Sequence, residues 1–268
     1  MPKPEVISSA ANPLLKDVRR AIARGGLTQE GYLVAETFHL LEEALRSNCA
    51  VKVVLCSESV QAAVEAHVKR LHGIRVAVVA DHLFPYISGT ESSQGVIALV
   101  LPPVWNLPQL FRGNSLVIVL DGLQDPGNAG SIARAAEAFG VTGLMFLKGT
   151  VSPFNPKALR GAAGSLFRVP FAYGLDSALV RAALQQNKLD VYAGVPAGDR
   201  APSKPIDQVD FTRRCALIIG NEARGVSTPL RACATDIFIP TCGVESLNAA
   251  VAAGILLYEA RRQRSHST

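Results

Sequence analysis

Two rhythms of apolar residues run along this chain, and each predicts a different element. Over the first hundred residues short β-branched runs alternate with helical stretches: YLVAE, a helix through Leu41, VKVVLC, a helix through Val64, VAVVA, and GVIALVL. A basic helix from Pro13 to Arg24 precedes them. Strands alternating with helices specify an α/β unit. The stretch PPVWNLPQLFRGN, with three prolines and several turn residues, interrupts the pattern. The reading is therefore a small first domain over residues 1–101 and a linker over 102–114.

The remainder, residues 115–268, opens with SLVIVLDGL, an almost wholly apolar strand of the kind buried on both faces of a parallel sheet. Further strands are expected at GLMFLK, LDVYAGV, CALIIG and TDIFIP. A last helix from Ser246 to about Arg262 places Leu247, Ala250, Val251, Ile255 and Tyr258 on one stripe. The expected fold class is α/β, with an open, mainly parallel sheet in this second domain. Ligands of such sheets bind beyond the carboxyl ends of the strands.

Three strand ends carry candidate chemistry. In LDGLQDPGNAGSIARAAEAFGV, Pro126, Gly127 and Gly130 are read as shaping a tight turn, with Asn128 at the start of a helix. Its stripe is Ile132, Ala135, Ala136 and Phe139, and at 100° per residue Arg134 points away from it. That leaves the guanidinium free for solvent, a partner subunit or RNA phosphate; the plainer reading is an N-cap asparagine and a solvated arginine. In LIIGNEARGVS, the frame GxxxxGxS imitates a phosphate-binding P-loop, but Val226 stands where that loop needs lysine. Glu222 is there either a site residue or a first-turn acid favoured by the helix dipole. In IFIPTCGVESLNAAVAAGILLYE, a strand ends at Ile239 and Pro240, and Ser246 reads as the N-cap of the final helix, with Asn248 in its first turn.

Composition narrows the classes. A chain of 268 residues suits two domains, and 49% hydrophobic with 18% charged residues excludes a largely disordered one. The net charge of +5 permits a polyanionic partner without demanding one, and most of the excess lies beyond Arg112. Five cysteines without CxxC spacing fit free thiols in a reducing compartment. His67 and His72, on an expected surface helix, have no third ligand nearby in sequence, so no metal is expected. Neither a signal peptide nor an apolar run of about 18 residues is found, which predicts a cytoplasmic protein with no membrane span.

Taken together, the three strand ends resemble the signature motifs of the SpoU (TrmH-like) family within the SPOUT superfamily of RNA methyltransferases. The matches are NxGxxxRxxxxFG over Asn128 to Gly140, GxExxGVS over Gly220 to Ser227, and IP…ESLNxxVA over Ile239 to Ala252. The front half, through ISSAANPLLK, YLVAE and SSQGVIALV, resembles the family's RNA-binding domain, which is similar to ribosomal protein L30e. The chain reads VAE near Ala35 where a glycine-bearing VEG is commoner, and its loop between Pro240 and Ser246 is a residue shorter than usual.

The resemblance implies a deep trefoil knot in the catalytic domain and S-adenosylmethionine (S-adenosyl-L-methionine) as cofactor, held by Gly220, Ile239 and Leu247. It implies that Arg134 engages a ribose 2′-hydroxyl while Asn128, Glu222, Ser246 and Asn248 order the site. It further implies a homodimer acting on RNA, ribosomal rather than transfer RNA, with Lys16, Arg19, Arg20 and Arg24 meeting phosphates. Transfer RNA as substrate and a non-catalytic RNA-binding protein of the same fold are the alternatives. A nicotinamide enzyme is disfavoured because no GxGxxG follows the first strand of the second domain.

Overall fold

The computed structural model describes residues 5–68, 74–90, 92–197 and 202–265. Contacts divide the chain into two compact units, Met1–Pro103 with Phe154–Phe167, and Val104–Pro153 with Arg168–Thr268.

The first unit contains β1 (Glu5–Ile7), α1 (Pro13–Arg24), β2 (Leu33–Glu36), α2 (Phe38–Arg46), β3 (Val51–Ser57), α3 (Gln61–Val68), β4 (Arg75–Val79) and β5 (Val96–Val100). Its sheet order is β1-β4-β3-β5-β2. The pairs β1–β4 and β3–β4 are parallel, and β5 runs antiparallel to β2 and β3. Leu15 and Val18 of α1 pack with Val34, Leu55 and Ile97 of the sheet, which explains why α1 turns one face inward. His67 bonds Glu42 and the carbonyl of Ala63, whereas His72 lies outside the described residues.

Glu36, at the end of β2, is 1% exposed. Its carboxylate accepts hydrogen bonds from Ser88 Oγ at 2.5 Å, Thr90 Oγ1 at 3.1 Å and Gly89 N at 3.2 Å, and pairs with Arg160 Nη1 at 2.9 Å. The position that calls for glycine falls two residues after Ala35: Thr37 has φ 122° and ψ 152°, a region occupied with ease only by glycine. Thr37 Oγ1 accepts from Leu40 N at 3.2 Å and so caps α2.

The second unit is built on β6 (Leu116–Asp121), α4 (Pro126–Ala138), β7 (Gly143–Leu147), β8 (Phe171–Leu175), α6 (Ser177–Gln186), β9 (Asp190–Gly194), β10 (Lys204–Pro205), β11 (Cys215–Gly220), α7 (Thr228–Arg231), β12 (Thr235–Phe238) and α8 (Ala249–Ser265). The intervening α5 (Pro156–Ala162) belongs to the first unit. All seven strands are parallel, in the order β10-β12-β9-β11-β6-β7-β8. Leu110 and Phe111, within the stretch read as linker, are buried in this unit's core. Gly143 makes room for Leu110, because a Cβ there would collide with it.

Four local expectations are corrected. Helix α4 starts at Pro126, not Asn128: Asp125 is the N-cap, accepting from Asn128 N at 2.8 Å, and Gly127 and Gly130 lie inside the helix. Helix α8 starts at Ala249, not Ser246: Asn248 Oδ1 accepts from Ala250 N at 2.9 Å and Val251 N at 3.2 Å. The face of α8 that enters the core carries Ala253, Leu256, Leu257 and Ala260, leaving Val251 and Tyr258 exposed. A helix apolar on most sides does not announce by period which face is inward. Finally, β1, β8 and β10 escape the hydrophobic pattern, being short edge strands with few buried positions.

Candidate active site

Strands β6 and β11 are central neighbours, registered so that Gly220 pairs with Asp121. From β6 the chain builds outward to β7 and β8 on one side, while β9, β12 and β10 fill the other. This is the switch point at which open parallel sheets form a crevice. Asp121, buried, accepts from Ser227 N at 2.7 Å and ties the loop after β11 to the end of β6.

Gly220 lets that loop fold back. A Cβ there would meet the backbone of Gly225 and Val226. Asn221 and Gly225 exchange backbone hydrogen bonds at 3.0 and 2.8 Å, and Asn221 Nδ2 donates to Gly122 O at 2.8 Å. Glu222 thus rides on a tight turn and is not in the first turn of a helix of its own. Val226 is buried, so the P-loop reading fails by structure as well as by residue type.

The carboxylate of Glu222 reaches the start of α4. It accepts from Gln124 N at 3.3 Å, Asp125 N at 3.3 Å and Asn128 Nδ2 at 3.1 Å. Partial desolvation acts to raise its pKa, but hydrogen bonds from its own backbone, Asn128, Gln124 and Asp125 prevail and hold it below the ordinary glutamate value. Asn128 Oδ1 in turn accepts from Asn248 Nδ2 at 3.0 Å. The direction of this relay is fixed at both ends. The α8 backbone can only donate to Asn248, and an ionised Glu222 can only accept from Asn128. With Asp125 as the cap of α4, the Asn128 side chain is free for this bridge, and its plain N-cap reading falls.

Beside the relay lies a cavity of about 580 Å³ lined from the ends of β9, β11 and β12 and from residues 239–249. Its walls include Gly194, Gly220, Ile237, Ile239, Leu247 and Leu256, and its polar rim includes Asn221, Glu222, Thr241, Glu245, Ser246 and Asn248. The size and the mainly apolar walls fit a nucleoside-bearing ligand. Glycine at 220, which the backbone itself requires, leaves the strand end bare.

All three residues expected to hold a cofactor line this cavity, as do Glu222, Ser246 and Asn248; Asn128 joins through hydrogen bonds. Arg134 does not line it. It lies six residues beyond Asn128, about 9 Å along the helix axis, exposed and without a hydrogen-bond or ion-pair partner among the described residues. The four α1 cations stay in the first unit: Lys16, Arg19, Arg20 and Arg24 are all exposed on the face opposite Leu15, Val18 and Ala21. Sequence reasoning passed over Asp121, Asn221 and Thr241, and met Glu245 only within the ESLN motif, with no role. Asp121 and Asn221 had a signal, standing where an apolar strand gives way to a polar residue beside glycine.

A parallel α/β sheet with a nucleoside-sized cavity at the ends of β9, β11 and β12, beside its switch point, and no triphosphate loop among the described residues, defines a protein suited to hold a nucleoside-bearing ligand at its strand ends. The model of the SpoU rRNA Methylase family matches residues 115–258, and that of the MRM3-like substrate binding domain matches 12–98. The 23S rRNA (guanosine(2553)-2′-O)-methyltransferase RlmP of Bacillus subtilis is 32% identical over 257 residues, covering 95% of this chain and 98% of that protein. The SpoU methyltransferase AviRb of Streptomyces viridochromogenes superposes with a TM-score of 0.83 at 26% identity, over 96% of this chain and 99% of that one. An AdoMet-bound rRNA methyltransferase from Sinorhizobium meliloti gives 0.80 at 27% identity, over 96% and 97%. The chain belongs to the SpoU rRNA methylase family.

Proposed function

We propose that this chain is an S-adenosylmethionine-dependent RNA methyltransferase that methylates a ribose 2′-hydroxyl, in ribosomal RNA. The observation that carries the reading is the Glu222–Asn128–Asn248 relay, which joins three family motifs beside one cavity. Relatives named for 2′-O-methylation of 23S rRNA support the substrate. The AdoMet-bound state of similar structures supports the cofactor.

When bound, S-adenosylmethionine supplies an activated methyl group. Ile239 and Leu247 give its adenosine apolar walls, and Gly220 permits close backbone approach. The relay and Ser246 hold the polar side of the site in order. Arg134 presents a free guanidinium to ribose or phosphate. A guanidinium has no lone pair to spare for a proton, so it positions and stabilises charge while the hydroxyl proton leaves by another route.

Residues 1–101 carry RNA specificity and 115–268, apart from the Phe154–Phe167 segment that belongs to the first unit, carry the chemistry; within 102–114, Leu110 and Phe111 belong to the second unit's core. The basic face of α1, whose four cations form no ion pair among the described residues, supplies phosphate contacts, which position RNA without reading its sequence. The working form is a cytoplasmic homodimer with the family's trefoil knot. The exposed Val251 (51%) and Tyr258 (57%) of α8 offer the apolar surface such a dimer covers. Five free cysteines fit a reducing compartment. No helix among the described residues is long and apolar enough to cross a membrane.

Calorimetry with S-adenosylmethionine, its demethylated product, ATP and NAD, beside transfer of labelled methyl to unmodified ribosomal and transfer RNA, tests the reading. Binding of the two methionine-derived ligands alone and labelling of ribosomal RNA are expected. Binding of NAD with no response to either of them would overturn it.

A further inference from the structure

The cavity has an unbalanced charge. Among the described residues that line it, only Glu222 and Glu245 are charged, and both are acids. Arg224, on the same turn as Glu222, is exposed and does not line the cavity. The two glutamates are employed differently. Glu222 is engaged by Asn128, Gln124 and Asp125. Glu245 is exposed at the rim and has no hydrogen-bond or ion-pair partner among the described residues. Its loop is nonetheless held: Thr241 Oγ1 donates to Val244 O at 3.0 Å, closing the turn that delivers Glu245 to the cavity.

Methyl transfer changes the charge of the ligand that this cavity would hold. The C–O bond forms as the C–S bond breaks. The bonding electron pair stays on sulfur, and the hydroxyl proton leaves to solvent. A sulfonium cation becomes a neutral thioether, so substrate and product differ by one methyl group and one positive charge. A site whose described walls carry two acids and no cation attracts the first form more than the second.

On the reading of the site as an S-adenosylmethionine pocket, we infer that Glu245 senses this charge: it favours S-adenosylmethionine over S-adenosylhomocysteine and so helps the spent product leave. Glu245 does not enter the chemistry, and its removal leaves the relay intact. Its action is through space at an exposed rim, so the effect is modest and depends on salt.

The test is calorimetric titration of the full chain and Glu245→Gln with each ligand, at low and at high salt. The substitution is nearly isosteric and exposed, so folding is retained. Glu245→Gln is expected to weaken S-adenosylmethionine roughly three- to fivefold at low salt while leaving S-adenosylhomocysteine within about twofold, the scatter of an exposed neutral substitution. High salt should shrink the difference between the two proteins. Glu245→Lys should shift the preference further toward the neutral product. An unchanged ratio of affinities in Glu245→Gln, or equal weakening of both ligands, would overturn the inference while the S-adenosylmethionine reading stands. Failure of the unmodified chain to bind either ligand would overturn both.

Discussion

Two glutamates, one in each unit, stand at or just beyond the ends of strands, and both are multiply hydrogen-bonded. Glu36 closes β2 in the first unit, buried, its carboxylate filled by Ser88, Gly89, Thr90 and Arg160. Glu222 follows β11 in the second, exposed, holding Gln124, Asp125 and Asn128. Counting hydrogen bonds does not separate them; what lies beyond the donors does. The donors of Glu36 end in protein, so it fixes a loop and α5 to a sheet edge. Those of Glu222 lead through Asn128 to Asn248 and adjoin the cavity. The first is scaffold, and the second, on the proposed function, orders a site.

Exchanging each for alanine sharpens that contrast. Glu36→Ala strands a mostly buried arginine and three donors, and should cost about 3–5 kcal/mol of stability. The folded fraction should keep its affinity for S-adenosylmethionine. Glu222→Ala frees donors that water can reach, so thermal melting should scarcely move. Methyl transfer should fall about a hundredfold, the loss that follows removal of one preorganised polar contact, about 3 kcal/mol. Melting curves and single-turnover transfer on the two variants check both halves. A stable Glu36→Ala, or a fully active Glu222→Ala, breaks the comparison.

The smallest effect concerns the residue after Glu36. Thr37 holds a backbone conformation that costs about 1–3 kcal/mol outside glycine. Thr37→Gly relieves it, losing a few tenths of a kcal/mol at the cap and about 0.5–1 kcal/mol to the freer unfolded chain. A net gain of roughly 1 kcal/mol is expected by denaturant titration. A loss would show that the Thr37–Leu40 cap outweighs the strain.

The parts of the molecule legible in the sequence are those whose burial is complete. VKVVLC, SLVIVLDGL and CALIIG are central strands of their sheets, and their apolar runs announce it. Lys204–Pro205 and Phe171–Leu175 lie on edges and bury too little to leave a pattern. In the site, residue types and spacing single out Asn128, Glu222 and Asn248, but not the bonds between them. Asn128 and Asn248 meet across 120 positions of sequence. The same bond explains the misplaced start of α8. Ser246 and Asn248 are both good caps by type, and only Asn248 also reaches Asn128. Glu245 stands in the ESLN motif, but its place on the cavity rim, set by the turn closed by Thr241, is not legible there.

If the second unit's exposed polar residues serve transfer and not stability, Arg134 shows it most sharply. Arg134→Ala removes an exposed side chain with no partner among the described residues, so melting and S-adenosylmethionine affinity should stay near those of the unmodified protein. Arg134→Lys should restore activity only in part, since lysine lacks the planar fork. The decisive measurement is the rate of labelled methyl transfer to unmodified ribosomal RNA by Arg134→Ala. A fall of about a hundredfold or more, as expected for loss of one preorganised charge contact, supports the account, and near-normal transfer contradicts it.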